Sequence, residues 1–335
     1  MLADMLAFPK KRCVAWAALL LATLPAVATA QVVPKADASG KAAERAPLYD
    51  TQADARSQVA AAVARAGRDN TRVLVMFGFN SCGWCHKLHA LFKSDPKVRK
   101  VLGDEYALVM VDTSAPRADE LLDECKAALS PDELKKGVGY PFLAVLDASG
   151  KVVTAQRTDP LEEGDHHEPK RVHDFLAKWV ATPADAGKVL AAALARAGSE
   201  EKRVLLHFGA PWCGWCHKLD DFLARDEVAR VVGRDYIDVK IDVDRMTSGK
   251  DVMARFRRDE SGGIPWMAIL GPGGEVLSTS VGPKGNIGYP AQPEEIGHFL
   301  AMLRKTSRTI DPAQFDQIEA ALKEAAARIK ASVAR

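Results

Sequence analysis

The sequence predicts an α/β protein built from two tandem copies of one fold, each a mixed β-sheet flanked by helices, with a further helix at the C-terminal end. The run Cys-Gly-Trp-Cys-His-Lys-Leu occupies residues 82–88 and recurs unchanged at residues 213–219. An apolar run precedes each copy, at residues 72–78 and 203–209, and an X-Pro step that opens another apolar run follows it. A repeat this regular indicates internal duplication, and strands that alternate with helices indicate a layered α/β fold.

The length and composition fit two such domains. The chain has 335 residues, of which 47% are hydrophobic, and this is enough to fill two cores. The sequence assigns residues 1–30 to a signal peptide, 31–50 to a flexible leader, 51–182 to domain one, 183–308 to domain two and 309–335 to a C-terminal helix.

Residues 1–30 have the order of an export signal. A basic cluster precedes the apolar residues 13–24, and the small-residue motif Ala-Thr-Ala ends at Ala30. We expect cleavage there, so that the mature chain begins at Gln31, loses Cys13 and is periplasmic or secreted. An uncleaved membrane anchor is the alternative, although the apolar run is short for a span.

The charge of the mature chain argues against nucleic acid as a partner. Without residues 1–30 the numbers of basic and acidic residues are equal, so no basic excess is available to neutralise phosphates. The remaining cysteines are the two Cys-x-x-Cys pairs and Cys125. Export permits disulfides, but the close spacing within each pair indicates catalysis rather than long-range staples.

Each repeat begins with an alanine-rich helix that we expect to end at a glycine, Gly67 in the first copy and Gly198 in the second. Val, Leu and Phe without alternation then predict a strand buried on both faces at each apolar run. The Cys-x-x-Cys motif opens the next helix. A further strand follows, at residues 106–112 or 236–242, and helical insertions lead from it to the X-Pro step.

The X-Pro steps, at Pro141 and Pro265, each open an apolar strand that a glycine-containing turn joins to another strand. A closing helix follows in each repeat, around residues 169–180 and 293–305. Since the join between the repeats is only residues 181–184, we expect the two domains to stay close together.

The C-terminal helix is predicted to start at Pro312. Its apolar residues share one stripe: Phe315, Ile318, Leu322 and Ile329. The stripe favours packing on domain two, with a partner-binding helix as the alternative.

The spacing of the two cysteines in each motif predicts dithiol redox chemistry. Thiols separated by two residues at a helix start can close a small disulfide ring, with the first sulfur exposed and the second behind it. Unpaired N–H groups and the helix dipole stabilise a thiolate at the first position. We therefore assign Cys82 and Cys213 as attacking thiolates and Cys85 and Cys216 as resolving thiols, with two inert disulfides as the alternative.

With the Cys-x-x-Cys motif, the strand before it and the X-Pro step, most of the chain resembles the thioredoxin superfamily, twice over. The Cys-Gly-Trp-Cys-His-Lys run is similar to that of periplasmic thioredoxin-like proteins. The resemblance implies two thioredoxin-like folds, each with a cis-proline, Pro141 or Pro265, that faces the cysteines and shapes the substrate groove. It also implies a protein thiol–disulfide oxidoreductase that needs no cofactor.

We expect this enzyme to be exported and to exchange disulfides with cysteines of other exported proteins, with a membrane electron donor or acceptor as a further partner. Reductase, oxidase and isomerase use the same residues, so the direction stays open. Tyr140 and Ile264 before the prolines suggest different substrate preferences. The short join leaves two schemes, transfer of a disulfide between the centres or two independent centres, and duplication alone favours the second.

The Cys-x-x-Cys-His runs allow two other functions. The same run attaches c-type haem, so a dihaem cytochrome is one alternative, although the strand, helix and X-Pro context argue against it. A copper- or zinc-binding thiol protein is the other, since His86 and His89 lie one helical turn apart and residues 165–168 are Asp-His-His-Glu. His89 aligns with Asp220, and the His-His segment has no counterpart in repeat two, so we assign no metal ligand.

Cys125 stands apart from both motifs. It shares a helical stripe with Leu121 and Leu129, and this spacing favours a small buried hydrophobe. A third redox thiol or a dimer disulfide is the alternative.

One departure from the family pattern distinguishes the two centres. In thioredoxins the position six before the first cysteine is a buried acid, paired with a lysine on the neighbouring strand, and it moves protons for the resolving cysteine. Those positions hold Met76 and Leu108 in repeat one but His207 and Asp238 in repeat two. The resemblance therefore implies a His–Asp proton acceptor in domain two and none in domain one. The alternative is that Asp238 faces solvent and His207 only packs.

Overall fold

The computed structural model describes residues 46–257 and 262–333. The predicted signal peptide, the alternative membrane anchor and all but the end of the leader lie outside these residues. Within the described part of the chain, no helix is both long enough and apolar enough to cross a membrane.

Domain one follows the predicted order of elements. Its helices and strands are, in chain order, α1 (Ala55–Asp69), β1 (Arg72–Gly78), α2 (Gly83–Ser94), α3 (Pro96–Glu105), β2 (Tyr106–Asp112), α4 (Ala118–Lys126), α5 (Pro131–Lys135), β3 (Phe142–Leu146), β4 (Val152–Arg157), β5 (Glu162–Glu163), β6 (His166–His167) and α6 (Pro169–Lys178).

The described residues of domain two repeat this order except for a counterpart of α5, and the predicted tail helix follows. Its elements are α7 (Ala186–Ser199), β7 (Arg203–Gly209), α8 (Gly214–Leu223), α9 (Asp226–Asp235), β8 (Tyr236–Asp242), α10 (Gly249–Phe256), β9 (Trp266–Leu270), β10 (Val276–Thr279), β11 (Val281–Gly282), β12 (Gly285–Asn286) and α11 (Pro293–Thr306), and the tail is α12 (Pro312–Val333).

Among the described residues, each domain holds a four-stranded mixed sheet, as predicted. The strand order is β2-β1-β3-β4 in domain one and β8-β7-β9-β10 in domain two. The central strand pairs in parallel with the strand that follows the Cys-x-x-Cys helix, and antiparallel with the strand after the X-Pro step. The registers also match, since Arg72 lies opposite Tyr106 and Arg203 opposite Tyr236. The duplication therefore extends from the sequence to the backbone pairing.

Polar side chains set the ends of the opening helices. Asp54 starts α1 by accepting a hydrogen bond from a backbone N–H of the first turn. The stops predicted at Gly67 and Gly198 are wrong, because both glycines lie inside their helices. α1 continues to Asp69 and ends at Asn70, which adopts the left-handed conformation with φ 51°. Asparagine tolerates this conformation, whereas a glycine near a helix end costs only about 1 kcal/mol and does not by itself stop the helix.

Apolar side chains cover both faces of each sheet. The central strands β1 and β7 are buried from their second residue to their last, as the continuous apolar runs predict. Cys125 lies in the core of domain one with no exposed surface, which confirms that it packs as a small hydrophobe. Burial raises the pKa of its thiol to about 12.

The tail helix α12 packs on domain two, as its apolar stripe predicts. Its buried stripe residues are Phe315, Ile318 and Leu322. The segment before the helix is anchored too, because the Asp235 carboxylate at the end of α9 accepts hydrogen bonds from the backbone N–H groups of Arg308 and Thr309, both at 2.8 Å. Arg308 Nη1 also donates to the carbonyl oxygen of Glu201 at 3.1 Å.

Opposite edges of the two sheets meet between the domains. Domain one contributes the C-terminal ends of α1 and α3, which lie at the edge where β1 and β2 begin. Domain two contributes the edge where β7 and β8 end, which is the edge that carries its cysteines. There Arg245 donates to the carbonyl oxygens of Asp69 and Asn70 at 2.8 and 2.9 Å, and its Nη2 lies 2.6 Å from a carboxylate oxygen of Glu105. These contacts join the domains in addition to the short linker.

Candidate active sites

Each cysteine pair lies where a buried strand gives way to a helix. Cys82 precedes the first turn of α2, and its Sγ accepts a hydrogen bond from the backbone N–H of Cys85 at 3.1 Å. Cys213 and Cys216 make the same contact at the start of α8, also at 3.1 Å. The two sulfurs of each pair form a disulfide. When the disulfide opens, the helix dipole and the free N–H groups stabilise a thiolate at the first position.

The first cysteine of each pair is the more accessible one. Cys82 is 6% exposed and Cys85 is 0% exposed, and the values for Cys213 and Cys216 are 5% and 2%. The difference is small in the closed disulfide, but its direction is the one that attack at the first sulfur requires.

Both prolines of the X-Pro steps follow cis peptide bonds and lie beside the cysteines. The bonds are Tyr140–Pro141 and Ile264–Pro265. The carbonyl oxygen before the proline is 3.7 Å from the Sγ of Cys82 in domain one and 3.5 Å from the Sγ of Cys213 in domain two. Each site therefore has backbone groups next to its first sulfur with which an extended substrate segment can pair.

Aromatic and histidine side chains cover part of the first site. Trp84, between the two cysteines, meets His167 edge-on with ring centroids 5.2 Å apart, and Lys87 Nζ lies over the Trp84 ring. Burial, and the charge of Lys87 after it, lower the pKa of His167 to about 4, so this imidazole is neutral at pH 7. Phe79 packs edge-on against Tyr140 at the same rim.

The second site is more open. Trp212 is 67% exposed and Trp215 is 48% exposed, although Trp215 stacks on Tyr289 with ring centroids 5.9 Å apart. A cavity of about 260 Å³ lies beside the cis-proline, with Trp215, Pro265 and Tyr289 among its lining residues. This apolar rim differs from that of domain one although the two motifs are identical.

The histidines considered as metal or haem ligands do not converge on a site. His86 and His217 each donate from Nε2 to the carbonyl oxygen six residues upstream, at 2.8 and 2.7 Å. In the Asp-His-His-Glu segment, His166 is exposed while His167 is buried against Trp84. Among the described residues, no group of three His, Cys, Asp or Glu side chains is placed to hold a metal ion.

A partly buried group of charged side chains lies behind the second cysteine of domain two. Lys240 Nζ is 2.7 Å from Asp69 Oδ1 of domain one and 2.5 Å from Asp220 Oδ2. Asp220 Oδ1 is 3.6 Å from His207 Nδ1. On the other side of the ring, His207 Nε2 is 3.0 Å from Asp238 Oδ1, which makes a salt bridge when the imidazole is protonated. Asp238 is the most exposed of the five, so the group runs from the protein interior toward solvent.

Gly209 allows this group to approach the disulfide. A Cβ on Gly209 would lie 3.4 Å from Cys216 Sγ and 3.7 Å from Lys240 Cε. The lysine side chain and the sulfur therefore border the same small space, which a larger residue would fill.

The charges of the group shift the pKa values of its cations. Burial lowers the pKa of His207, but the Asp238 and Asp220 carboxylates outweigh burial and raise it above its ordinary value. Burial likewise lowers the pKa of Lys240, and Asp220 and Asp69 raise it further than burial lowers it. A cavity of about 420 Å³ between the domains reaches this group, with Asp69, His207, Asp220, Asp238 and Lys240 in its wall.

The corresponding space in domain one holds uncharged side chains. Met76 is fully buried, and Leu108 and Met110 on β2 are half-buried. Tyr49 fills the rest. The sequence assigned it to the leader, but the structure buries it in the core of domain one at 3% exposure, because its ring packs among apolar residues behind the cysteines.

Beyond His207 and Asp238, four residues that complete the two sites were not predicted from the sequence: Lys240, Asp220, Asp69 and Tyr49. Lys240 carried a signal, since it lies two positions after Asp238 and therefore on the same face of β8. Asp220 also carried a signal, because it directly follows the seven residues that are identical in the two repeats and is an acid where repeat one has His89. Tyr49 carried none, because its contact with the motif spans a long stretch of chain.

Comparisons with known proteins show the family to which the chain belongs. The Thioredoxin-like family model matches residues 54–148 and 185–272, once in each domain. A disulphide isomerase from Xylella fastidiosa Temecula1 is 26% identical over 40% of this chain and 96% of that chain, with a TM-score of 0.32. The C-terminal domain of Neisseria meningitidis DsbD in the oxidised form is 23% identical over 30% of this chain and 84% of that chain, with a TM-score of 0.24. No curated protein matches the chain.

Proposed function

Because the chain belongs to the thioredoxin-like family, we propose that it is an exported thiol–disulfide oxidoreductase that exchanges disulfides with cysteines of other exported proteins through two centres. The observation that carries the proposal is the closed Cys-x-x-Cys disulfide at each helix start, with the carbonyl before a cis-proline beside its first sulfur. A membrane electron donor or acceptor is the partner that returns each pair to its starting redox state.

Exchange consists of two displacements at sulfur. A substrate thiolate attacks the Sγ of Cys82 or Cys213, the internal S–S bond breaks, and its electron pair leaves with Cys85 or Cys216 as a thiolate. A second substrate thiolate then attacks the substrate sulfur of the mixed disulfide, and Cys82 or Cys213 leaves as a thiolate, so that the substrate is oxidised and the pair is reduced. In the opposite direction the first cysteine attacks a substrate disulfide, and the resolving thiolate then attacks the mixed disulfide and releases the reduced substrate. Two electrons pass from the dithiol to the disulfide, and no cofactor takes part.

The two rims indicate different substrates for the two centres. The cavity beside Pro265, with Trp215 and Tyr289 in its wall, fits an extended substrate that carries a bulky apolar residue next to its cysteine. In domain one, His167 packs edge-on against Trp84, which is less exposed than Trp215. We expect domain two to accept the bulkier substrates.

Alkylation tests the roles of the cysteines. After reduction, iodoacetamide should modify Cys82 and Cys213 before Cys85 and Cys216, because the helix N-terminus lowers the thiol pKa at the first position. Peptide mapping by mass spectrometry at increasing times gives the order. Faster labelling of either second cysteine would contradict the assignment.

Activity and export are measured separately. The Cys82→Ser/Cys213→Ser double variant should no longer exchange disulfides with a protein substrate, whereas each single variant retains the other centre. Sequencing the N-terminus of the exported chain should give Gln31 as the first residue, and a chain that keeps residues 1–30 would contradict the export signal.

A further inference from the structure

The end of the leader is fastened to domain one beside its cysteines. The Asn80 side chain holds it, since Oδ1 accepts from the backbone N–H groups of Leu48 and Tyr49 at 2.8 and 2.9 Å. Its Nδ2 donates to the Tyr49 carbonyl oxygen at 3.0 Å. Asn80 lies in the turn between β1 and the motif, so the same turn that positions Cys82 also fixes the backbone of Tyr49.

The Tyr49 hydroxyl lies next to the resolving sulfur of domain one. A Cβ on Gly78 would lie 2.6 Å from Cys85 Sγ and closer still to the Tyr49 hydroxyl oxygen, so these two atoms border the same small space. The glycine at position 78 is what leaves room for both. The ring of Tyr49 is buried, and its hydroxyl has no hydrogen-bond partner among the described residues.

An unpartnered buried hydroxyl is uncommon, because a polar group removed from water costs free energy unless another group replaces its hydrogen bond. In the closed state the neighbouring sulfur is part of a disulfide and is a poor acceptor. Opening of the disulfide converts that sulfur into a thiolate, which is a strong acceptor. The hydroxyl therefore gains a partner only when the pair opens.

We propose that the Tyr49 hydroxyl is a hydrogen-bond donor to the Cys85 sulfur in the open forms of domain one, where it stabilises the thiolate and favours the dithiol over the disulfide. The proposal rests on the proposed function, since it concerns the same exchange reaction. It gives domain one a neutral counterpart to the charged group behind Cys216.

The electron balance is that of ordinary exchange. A substrate thiolate attacks Cys82 Sγ, the Cys82–Cys85 bond breaks, and its electron pair goes to Cys85 Sγ, toward which the Tyr49 O–H points its proton. Burial, and the Asp112 carboxylate after it, hold the pKa of Tyr49 above its usual range, so the phenol keeps its proton and remains a donor. Attack of the Cys85 thiolate on the mixed disulfide reverses the step.

The other titratable groups near this pair are already engaged. Asp112, at the end of β2, accepts from the backbone N–H and hydroxyl of Ser114 at 2.8 and 2.6 Å. His86, the residue after Cys85, donates to the carbonyl oxygen of Asn80. Met76 and Met110 face this region from β1 and β2 and are neutral. Tyr49 is therefore the donor that the structure offers to the Cys85 sulfur.

The test removes the hydroxyl and keeps the ring. In the full chain, Cys13, Cys82, Cys213 and Cys216 are replaced by serine, so that Cys85 titrates without its partner while Cys125 stays protonated, its pKa being about 12. We expect Tyr49→Phe to raise the pKa of Cys85 by about one unit, a tenfold loss of ionisation, as removal of one hydrogen bond to a charged group predicts. Thiolate absorbance against pH gives the value.

A second measurement uses the intact domain-one pair. With Cys82 restored, equilibration with glutathione redox buffers above the thiol pKa should show the disulfide favoured about tenfold more in Tyr49→Phe than in the parent. The oxidised variant should unfold at the same temperature as its parent or higher, because an unpartnered hydroxyl has been removed. The reduced variant should unfold at a lower temperature than its reduced parent.

Tyr106→Phe is the matched control. Tyr106 is also a buried tyrosine of domain one, but its hydroxyl donates to the Leu176 carbonyl oxygen at 2.6 Å, away from the sulfurs. Its loss should lower stability in both redox forms and leave the Cys85 pKa and the glutathione equilibrium unchanged.

Two results would overturn the proposal. One is that the acid dissociation constant of Cys85 and the equilibrium constant with glutathione both stay within twofold of the parent values in Tyr49→Phe. The other is an equal loss of stability in the oxidised and reduced forms, which packing alone would produce. Failure of the proposed function is a separate outcome, since a chain that exchanges no disulfide with protein substrates would still show the response of Cys85 to Tyr49→Phe.

Discussion

The two resolving cysteines, Cys85 and Cys216, lie at equivalent positions of the repeated fold. Their surroundings differ, because those of Cys216 are charged and those of Cys85 are uncharged. Behind Cys216, Lys240 is bound by two partly buried carboxylates, and a histidine continues the group toward solvent. Behind Cys85 there are methionines and the hydroxyl of Tyr49. The motif and the strand before it are shared, so the fold determines where the sulfur lies, while the side chains behind it determine how its negative charge is stabilised.

In both domains a residue from outside the repeated unit completes this space. Tyr49 comes from the leader before domain one, and Asp69, which binds Lys240, comes from domain one although it serves domain two. The duplicated unit therefore provides the cysteines and the cis-proline. The different surroundings come partly from substitutions within the unit, such as Lys240 for Met110, and partly from the neighbouring segment.

Replacing His207 should have the largest effect. In a full chain with Cys82→Ser and Cys85→Ser, so that domain two alone reacts, release of a mixed disulfide should slow as the pH falls. A protonated imidazole cannot accept a proton. Because the pKa of His207 is raised above the ordinary histidine value of 6.5, release should begin to slow at a pH above 6.5. Above that pKa, His207→Met should slow release by about 10²–10⁴-fold, the usual worth of a positioned base.

Release from each domain is timed between pH 5 and 9. The chain with only the domain-one pair is the comparison, and it should show no step attributable to a histidine. Identical profiles for the two domains, unchanged by His207→Met, would remove His207 from the mechanism.

Replacing Lys240 should have the next largest effect, on stability. Lys240→Met gives domain two the residue that domain one has at this position, Met110, but leaves the Asp69 and Asp220 carboxylates buried without their cation. Breaking a buried ion pair in this way typically costs about 3–5 kcal/mol in the free energy of unfolding. Chemical denaturation of the oxidised full chain measures it.

The control for this variant is Lys100→Met, which removes an ion pair with Asp104 at the surface, where the lysine side chain is 74% exposed. Such a pair is worth less than about 1 kcal/mol. Equal, small losses for both variants would mean that the buried group contributes no more than a surface pair.

The smallest expected effect concerns transfer between the centres. Domain two docks its cysteine edge on the edge of domain one where β1 begins, and Cys82 lies beyond the other end of that strand, roughly 20 Å away for seven residues at the usual rise. In a Cys85→Ser/Cys216→Ser chain under mild oxidation, we expect no Cys82–Cys213 disulfide within one molecule. The activities of the two centres should simply add.

Non-reducing mass spectrometry at low protein concentration detects such a disulfide. Its formation in the monomer would show that the domains separate and meet again through their cysteine edges, and the two centres would then form a relay.

Much of the fold follows from local patterns in the sequence. The apolar runs that became β1 and β7 have no alternation, and this predicted central strands buried on both faces, as the sheets confirm. Pro312 and the apolar stripe after it predicted the tail helix and the face by which it packs. The cis geometry at Pro141 and Pro265 was available from the family resemblance and not from the residues alone.

The residues behind the cysteines depend on contacts that no local pattern encodes. Asp69 and Lys240 are 171 positions apart and belong to different domains, so their pairing follows from how the domains dock. Tyr49 lies in a segment whose composition resembles a linker, and its burial depends on the side chain of Asn80. The end of α1 at Asn70 is a further case, because the preceding glycine carried the more familiar stop signal.

The anchored segment before α12 has a counterpart at the junction of the domains. Asp235 ends the helix before a parallel strand in domain two, as Glu105 does in domain one. Arg245 makes a salt bridge with the Glu105 carboxylate, and the backbone N–H of Arg308 donates to the Asp235 carboxylate. The same place on the fold is thus used twice, once by the next domain and once by the tail.

This correspondence makes the tail an end cap. The edge of domain one that receives domain two is a head-to-tail docking surface, and such a surface has no built-in limit, because a further domain could dock on the matching edge of domain two. In domain two, Arg308 lies at that edge and donates to the Glu201 carbonyl oxygen. This carbonyl corresponds to that of Asn70 in domain one, to which Arg245 donates. As in repeat proteins, where terminal units cover the exposed end of a stack, the tail covers the edge of domain two on which a further copy of the domain would dock.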